Sequence, residues 1–123
     1  MAEMEKVINI DGKDIRFRAS GATPRHYRNL FGGDMLVDMS RLSEAMEKTK
    51  ADGTSLPVDS LEVFENIAYV MAWHGAKAHG EEFPDSPEEW LDEIEVLSIY
   101  HILPEILTLW GMNQKTLIKS KKK

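Results

Sequence analysis

The sequence predicts a mainly α fold with a small N-terminal β-hairpin, an α+β class in which about four to five helices form a compact bundle around a central helix at 59–78. Apolar residues recur at helical spacing through most of the chain after residue 23, and the stretch 59–78 is apolar on more than one side. Two β-prone runs flank an Asp-Gly pair near the N-terminus. The length of 123 residues suits one domain, predicted at 1–113, followed by a basic, disordered tail at 114–123.

The hairpin is predicted from its turn. Asp11-Gly12 lies between an apolar run at 7–10 and the sequence IRFR at 15–18, and this dipeptide between β-prone runs is a strong hairpin signal. Ile15 and Phe17 alternate with arginines, so one face is apolar and the other basic. Because an isolated hairpin is marginally stable in water, we expect it to cover the core. The alternative is that its unpaired edges dock another chain.

Two helices are predicted between the hairpin and the central helix. Thr23 is the expected N-cap of the first, with Pro24 at its first helical position. Asp34 is the expected N-cap of the second, which runs to about Lys48. The inward residues of the second helix are expected to be Met35, Leu36, Met39, Leu42 and Met46. The polar stretch 47–58 contains glycine and proline, so it is predicted to be a loop.

The central helix is predicted over Asp59 to Ala78. Asp59 can cap it, and Glu62 stands where the third-position partner of a capping box belongs. Gly75 and Gly80 are expected to weaken and then end it. The hairpin and several shorter helices must bury their apolar faces, and the wide apolar arc of this helix offers the surface for them. The helix is therefore predicted to be the structural hub of the fold.

The last third of the chain begins with a predicted acidic turn at 80–85, which is followed by a capped helix start at Ser86-Pro87. A later helical run carries Ile94, Leu97, Tyr100, Ile102, Leu103, Ile106, Leu107 and Trp110. Pro104 lies inside this run and predicts a kink or break just before it, because proline cannot donate to the preceding turn. At least two aromatic residues are expected to be buried among Trp73, Trp90, Trp110, Tyr69 and Tyr100.

Charge is unevenly distributed along the chain. The net charge is −6, which argues against nucleic-acid binding. Basic residues crowd the first thirty positions: Lys13, Arg16, Arg18, Arg25 and Arg28. No Lys or Arg occurs from Ala78 to Gln114, a segment with nine carboxylates. Either both faces are solvated, or the two ends pair with each other, or one face recruits a partner of opposite charge.

Motifs for catalysis and metal binding are missing from the sequence. Cysteine is absent, which excludes disulfides and thiolate chemistry and fits a reducing cytoplasm. The spacing Gly75-x4-Gly80 fails as a phosphate loop because Glu81 replaces the required lysine. His101 and Glu105 share a helical face, but one such pair is common by chance. We expect no enzymatic activity, no cofactor and no metal. The N-terminus does not resemble a secretory signal, and no apolar run is long enough to span a membrane.

Three stretches carry a family resemblance. They are IDGKDIRFRASGATPRHYRNLFGGDM, LEVFENIAYVMA and PEEWLDEIEVLSIYHILPEILTLWGMN, within about residues 7–113. The combination of a GKxIRFRA-like hairpin, a TPRxYR-like helix start and an ILPEILxLWG-like late helix is more specific than any one of these motifs. This combination resembles the small tail assembly chaperones of long-tailed phages and prophages of Gram-positive bacteria.

The resemblance implies a non-enzymatic role in the cytoplasm of the bacterial host. Proteins of this family bind the tape measure protein, keep its long helical chain soluble, and help recruit subunits of the major tail tube protein. They leave before the tail is finished, so the chain is not expected in the mature virion. Many copies act per tail, which is compatible with a homo-oligomer. Lys119 and Lys121 to Lys123 stand where members of this family often frameshift into a longer product.

The resemblance and the charge pattern together give two site hypotheses. The acidic and apolar helices late in the chain are expected to bind basic and apolar helix of the tape measure protein, through Glu88, Glu89, Asp92, Glu93, Ile106 and Trp110. Self-assembly or tail tube contact is assigned to Arg16, Arg18, Arg25 and Arg28.

The alternative function is a small phage or prophage regulator, either a DNA-binding protein or an anti-repressor. The adjacent helices predicted at 23–31 and 34–48 superficially resemble a helix-turn-helix. The second of them carries more acidic than basic residues, which makes it a poor reader of a DNA groove.

Overall fold

A computed structural model describes residues 5–53, 58–95 and 98–109. Within them, two strands and six helices follow one another as β1 (Glu5–Ile10), β2 (Lys13–Arg18), α1 (Thr23–Phe31), α2 (Met35–Asp52), α3 (Val58–Ala78), α4 (Pro87–Leu91), α5 (Ser98–His101) and α6 (Leu103–Leu109). This arrangement confirms the predicted fold class, helices with an N-terminal antiparallel hairpin. Trp110 and the tail at 114–123 lie outside the described residues.

The hairpin forms as predicted, with a two-residue turn. Asp11 (φ 54°) and Gly12 (φ 86°) both adopt the left-handed conformation, which a type I′ turn requires. The register pairs Ile8 with Ile15 and Ile10 with Lys13. Ile8, Ile10 and Phe17 are buried against the helices, so the hairpin covers the core.

The turn of the hairpin is tied to the far end of the chain. The Asp11 carboxylate accepts hydrogen bonds from the Glu95 N–H at 2.8 Å and from the Ser98 hydroxyl. These hydrogen bonds lower the pKa of Asp11, because they stabilise its charged form. The N-terminal hairpin and the acidic last third of the chain therefore meet at this turn.

The start of α1 differs from the prediction by one residue. Ala22 occupies the N-cap position without a side-chain capping bond, and Thr23 lies inside the helix, fully buried. The hydroxyl of Thr23 is engaged elsewhere, because it accepts from the Ser20 N–H at 3.0 Å and lies 2.9 Å from Nδ1 of His74. Pro24 stands in the first turn as expected.

The second helix is longer than predicted and turns a different face inward at its start. Asp34 caps α2 as expected, accepting from the N–H groups of Leu36 and Val37. The helix continues through part of the predicted loop to Asp52 and ends at Gly53. Leu36 was predicted to point inward, but its side chain is 51% exposed.

The third helix is the hub of the fold. It contacts β2, α1, α2 and α4, and its fully or nearly fully buried residues include Phe64, Ile67, Ala68, Tyr69, Val70, Met71 and Ala72. The described helix begins at Val58, one residue before the predicted cap Asp59. At Gly75 it meets the backbone of β2: a Cβ on this residue would lie 3.0 Å from the Arg16 carbonyl carbon and closer still to its oxygen.

The predicted late helical run is divided into short helices. Ser86 caps α4 as expected by accepting from the Glu89 N–H at 3.2 Å. The break before Pro104 is confirmed, because α5 ends at His101 and α6 begins at Leu103. Trp90 and Tyr69 are buried, which confirms that at least two of the five aromatic residues named above belong to the core.

Candidate functional site

An acidic groove lies between the end of α3, the loop at 81–86 and α4. It has a volume of about 570 Å³ and is lined by Lys77, Glu82, Phe83, Pro84, Asp85, Glu89 and Glu93. Four carboxylates thus face one ammonium group around a half-buried apolar floor, formed by Phe83 and Pro84. The groove combines a negative potential with apolar contact area, features that suit a basic amphipathic segment.

The floor of the groove is held by the aromatic residues beneath it. The Phe83 ring lies 5.8 Å from that of Tyr69 and 5.6 Å from that of Trp90, centroid to centroid. The Tyr69 hydroxyl donates to the Pro84 carbonyl at 2.6 Å. Burial raises the pKa of Tyr69 to about 12, with added repulsion from Asp85 and Glu89. The hydroxyl therefore remains a donor at every physiological pH, and the loop stays anchored to α3.

The predicted acidic residues are on the surface. Glu88, Glu89, Asp92 and Glu93 are all exposed, and Glu89 and Glu93 line the groove. Glu93 also lies 3.9 Å from the Lys13 ammonium, an exposed pair of the kind that contributes little stability.

Two predicted partner-binding residues are not part of this described surface. Ile106 is fully buried and belongs to the hydrophobic core, since α6 packs its apolar side inward. Trp110 lies outside the described residues. The late helices therefore supply only carboxylates to the groove, and its apolar floor comes from the loop before α4.

Sequence reasoning missed the loop residues of the groove. The stretch 80–85 was interpreted as an acidic turn, which accounts for Glu82 and Asp85 but leaves Phe83 without a role. The available signal was an aromatic residue and a proline between carboxylates in a segment otherwise polar. Only the fold places this segment beside α4.

The four predicted basic residues divide into two pairs. The Arg18 guanidinium lies 2.6 Å from the Glu5 carboxylate, and that of Arg16 lies 3.8 Å from Glu5 and 3.4 Å from Glu81. Arg25 and Arg28, on α1, are exposed. The structure thus shows the two ends of the chain pairing in part, through Arg16–Glu81, Lys13–Glu93 and Lys6–Glu105.

The described residues hold neither a candidate metal site nor a candidate membrane span. They contain no group of three His, Asp or Glu side chains placed to hold a metal ion. The Glu105 carboxylate, paired in sequence with His101, instead lies 3.3 Å from the Lys6 ammonium. None of the described helices combines the length and apolarity required to cross a bilayer.

A histidine pair lies where α1 packs on α3. The rings of His26 and His74 are 4.6 Å apart, and the ring of His26 is 5.1 Å from that of Trp73. Burial lowers the pKa of His74, and the nearby charges of His26 and Arg18 lower it further, against an opposing effect of Glu5. The folded state therefore favours the neutral ring.

This lowered pKa predicts a pH-dependent stability. Below the ordinary histidine pKa of about 6.5, the unfolded chain binds a proton at His74 that the folded chain resists, so the free energy of unfolding should fall as the pH drops from about 7.5 to about 5. Urea denaturation across this range measures the slope. His74→Asn should flatten it, whereas His101→Asn, at an exposed position, should not. Parallel slopes for the wild type and His74→Asn would contradict the assignment.

Comparisons with protein-family models, curated proteins and solved structures found no match for this chain.

Proposed function

We propose that this protein is a non-enzymatic phage tail assembly chaperone, which binds the tape measure protein, keeps it soluble and helps recruit tail tube subunits. The observation that carries the proposal is the acidic groove, together with the sequence resemblance. A long helical client presents basic and apolar side chains along its faces, and an acidic rim around an apolar floor is complementary to both. The proposed location is the cytoplasm of the bacterial host.

The groove suits a transient, salt-sensitive contact. Its carboxylates are at the rim, where complementary charge mainly accelerates encounter and is screened by salt. A chaperone that must leave before assembly is complete benefits from a contact of this kind. Arg25 and Arg28, exposed on α1, remain the best placed of the basic residues for tail tube contact or self-assembly.

Charge reversal in the groove tests the proposal. In cells co-expressing the tape measure protein, the double variant Glu89→Lys/Glu93→Lys should lower the co-purified client at least about tenfold, because two attractions become repulsions. The matched control is Glu44→Lys/Glu47→Lys, an equal change of charge at exposed positions of α2. Pull-down at low and high salt, with circular dichroism to verify folding, measures the effect. Equal recovery of the client by both variants would reject the groove as its site.

The competing proposal is a regulatory DNA-binding protein, which has the exposed Arg25 and Arg28 on α1 in its favour. Glu44 and Glu47 are exposed on the neighbouring α2 and would repel phosphates. A gel-shift assay at low salt separates the two functions, because non-specific DNA binding is strongest there. Retarded DNA at low salt would favour the regulator, and its absence the chaperone.

A further inference from the structure

The outer edges of β1 and β2 differ in how far other elements of the chain cover their backbone groups. In a two-residue hairpin the residues flanking the turn form a hydrogen-bonded pair, so every second residue directs its backbone groups away from the partner strand. On β2 two of these outward groups meet other elements: the Arg16 carbonyl lies against Gly75 of α3, and the Arg18 carbonyl accepts from the Thr23 hydroxyl at 3.4 Å. That edge is therefore covered from Arg16 to Arg18.

The edge of β1 is open to another strand. Its outward backbone groups belong to Glu5, Val7 and Asn9, and they make no hydrogen bond to any residue that the structure describes. Val7 is 51% exposed although it is β-branched and apolar. The pairing of β1 with β2 is continuous, without a bulge, and the exposed run contains no proline. Of the usual devices that prevent edge-to-edge pairing, this strand therefore has charged side chains, Glu5 and Lys6, but neither a proline nor a bulge.

The charged residues of β1 favour one register for pairing between the β1 strands of two copies. We propose that two copies of the chain pair through β1, antiparallel and centred on Val7, to form a four-stranded sheet. In this register Val7 lies opposite Val7 of the second copy, Glu5 opposite Asn9, and Lys6 opposite Ile8. No like charges are opposed, and the two exposed valines cover each other.

The neighbouring registers are less favourable. Centring on Glu5 or on Lys6 places two identical charges opposite each other, which is destabilising in a sheet. Centring on Ile8 places each Val7 opposite Asn9, so that the two exposed valines no longer cover each other. Centring on Asn9 carries the pairing into the turn, where Asp11 and Gly12 have left-handed backbones and cannot continue a strand. The free edge of β1 thus specifies its own partner strand and a single register.

A cysteine at the centre of the proposed interface tests it directly, because the chain contains no cysteine. In an antiparallel hydrogen-bonded pair the Cβ atoms are about 5.5 Å apart, wider than the roughly 3.5–4.5 Å of a direct disulfide but within reach of a short cross-linker that reacts with two thiols. Val7→Cys should therefore form a covalent dimer with such a cross-linker. Val37→Cys, at a valine of similar exposure on α2, is the matched control and should remain mostly monomeric.

Sedimentation of the wild type and of two lysine variants measures the dimer without any cross-link. The wild type should show a concentration-dependent dimer, and Val7→Lys should weaken it at least about tenfold by placing two ammonium groups opposite each other. Val37→Lys should leave it unchanged. The proposal is overturned if the wild type stays monomeric up to about 1 mM, if Val7→Lys dimerises as well as the wild type, or if the two cysteine variants cross-link at equal rates.

Discussion

Replacing Gly75 with alanine is expected to lower the free energy of unfolding by about 3 kcal/mol, the upper part of the range for overpacked sites. In an ordinary helix interior this substitution stabilises by about 1 kcal/mol, because alanine is the better helix former. Here the added methyl group would overlap the Arg16 carbonyl, a backbone atom held in the hairpin. Either β2 moves away from α3 or the helix bends, and both responses loosen the core around Phe17.

Urea denaturation of Gly75→Ala measures this loss. Gly21→Ala is the control, because a Cβ at Gly21 meets nothing within 4 Å and the residue does not have a positive φ. The control should change stability by less than about 0.5 kcal/mol, as surface substitutions usually do. A Gly75→Ala protein as stable as the wild type would show that β2 does not rest on α3 as described.

Gly75 also illustrates what sequence alone can and cannot predict. Its position in an apolar helix indicates only a local weakness, whereas its role is set by Arg16, 59 positions earlier in the chain. Local chemistry was sufficient where the determinant is local: the Asp11-Gly12 turn, the Asp34 cap and the break before Pro104 are all confirmed. A contact with a residue far away in the sequence produces no such signal in the adjacent residues.

The same distinction explains the errors at α2 and α6. Helical spacing predicted that Leu36 points inward. The start of α2 has three consecutive apolar residues, Met35, Leu36 and Val37, and which of them is buried depends on what packs against the helix. Ile106 was predicted to bind the tape measure protein as part of an acidic and apolar late helix, but the fold places it in the core. Exposure of the carboxylates was predictable, since charged groups are rarely buried without partners. The apolar floor that makes them a groove was not.

The internal ion pairs reduce the charge that the basic N-terminal segment can offer to a partner. Arg16 and Arg18 are occupied by Glu5 and Glu81, so they offer a partner less attraction than their number suggests. The groove carboxylates are less occupied: Glu82, Asp85 and Glu89 have no ion pair with any described residue. These three unpaired carboxylates lie where an apolar floor is also available.

Replacing Trp90 with alanine is expected to have the largest effect on stability, a loss of about 3–5 kcal/mol, as is usual for a deleted aromatic core residue. Trp90 is 2% exposed and packs on Phe17, Tyr69 and Phe83. It is also the only fully buried residue of α4. A helix of five residues is not stable by itself in water, so α4 depends on this one side chain for its position.

The loss should extend to the acidic groove, because Phe83 packs on the Trp90 ring and Glu89 belongs to the helix that Trp90 anchors. Near-ultraviolet circular dichroism and urea denaturation measure the loss of packing, and client co-purification measures the loss of the groove. Trp73→Ala is the matched control: its ring is half-buried, so removal should cost only about 1–2 kcal/mol. Lys77 loses its contact with that ring, but the carboxylates and the apolar floor of the groove should stay in place. Trp90→Phe should retain part of the stability and of the binding. If Trp90→Ala unfolds no more easily than Trp73→Ala, α4 is not anchored through its tryptophan, and the groove must be held by the loop at 81–86 alone.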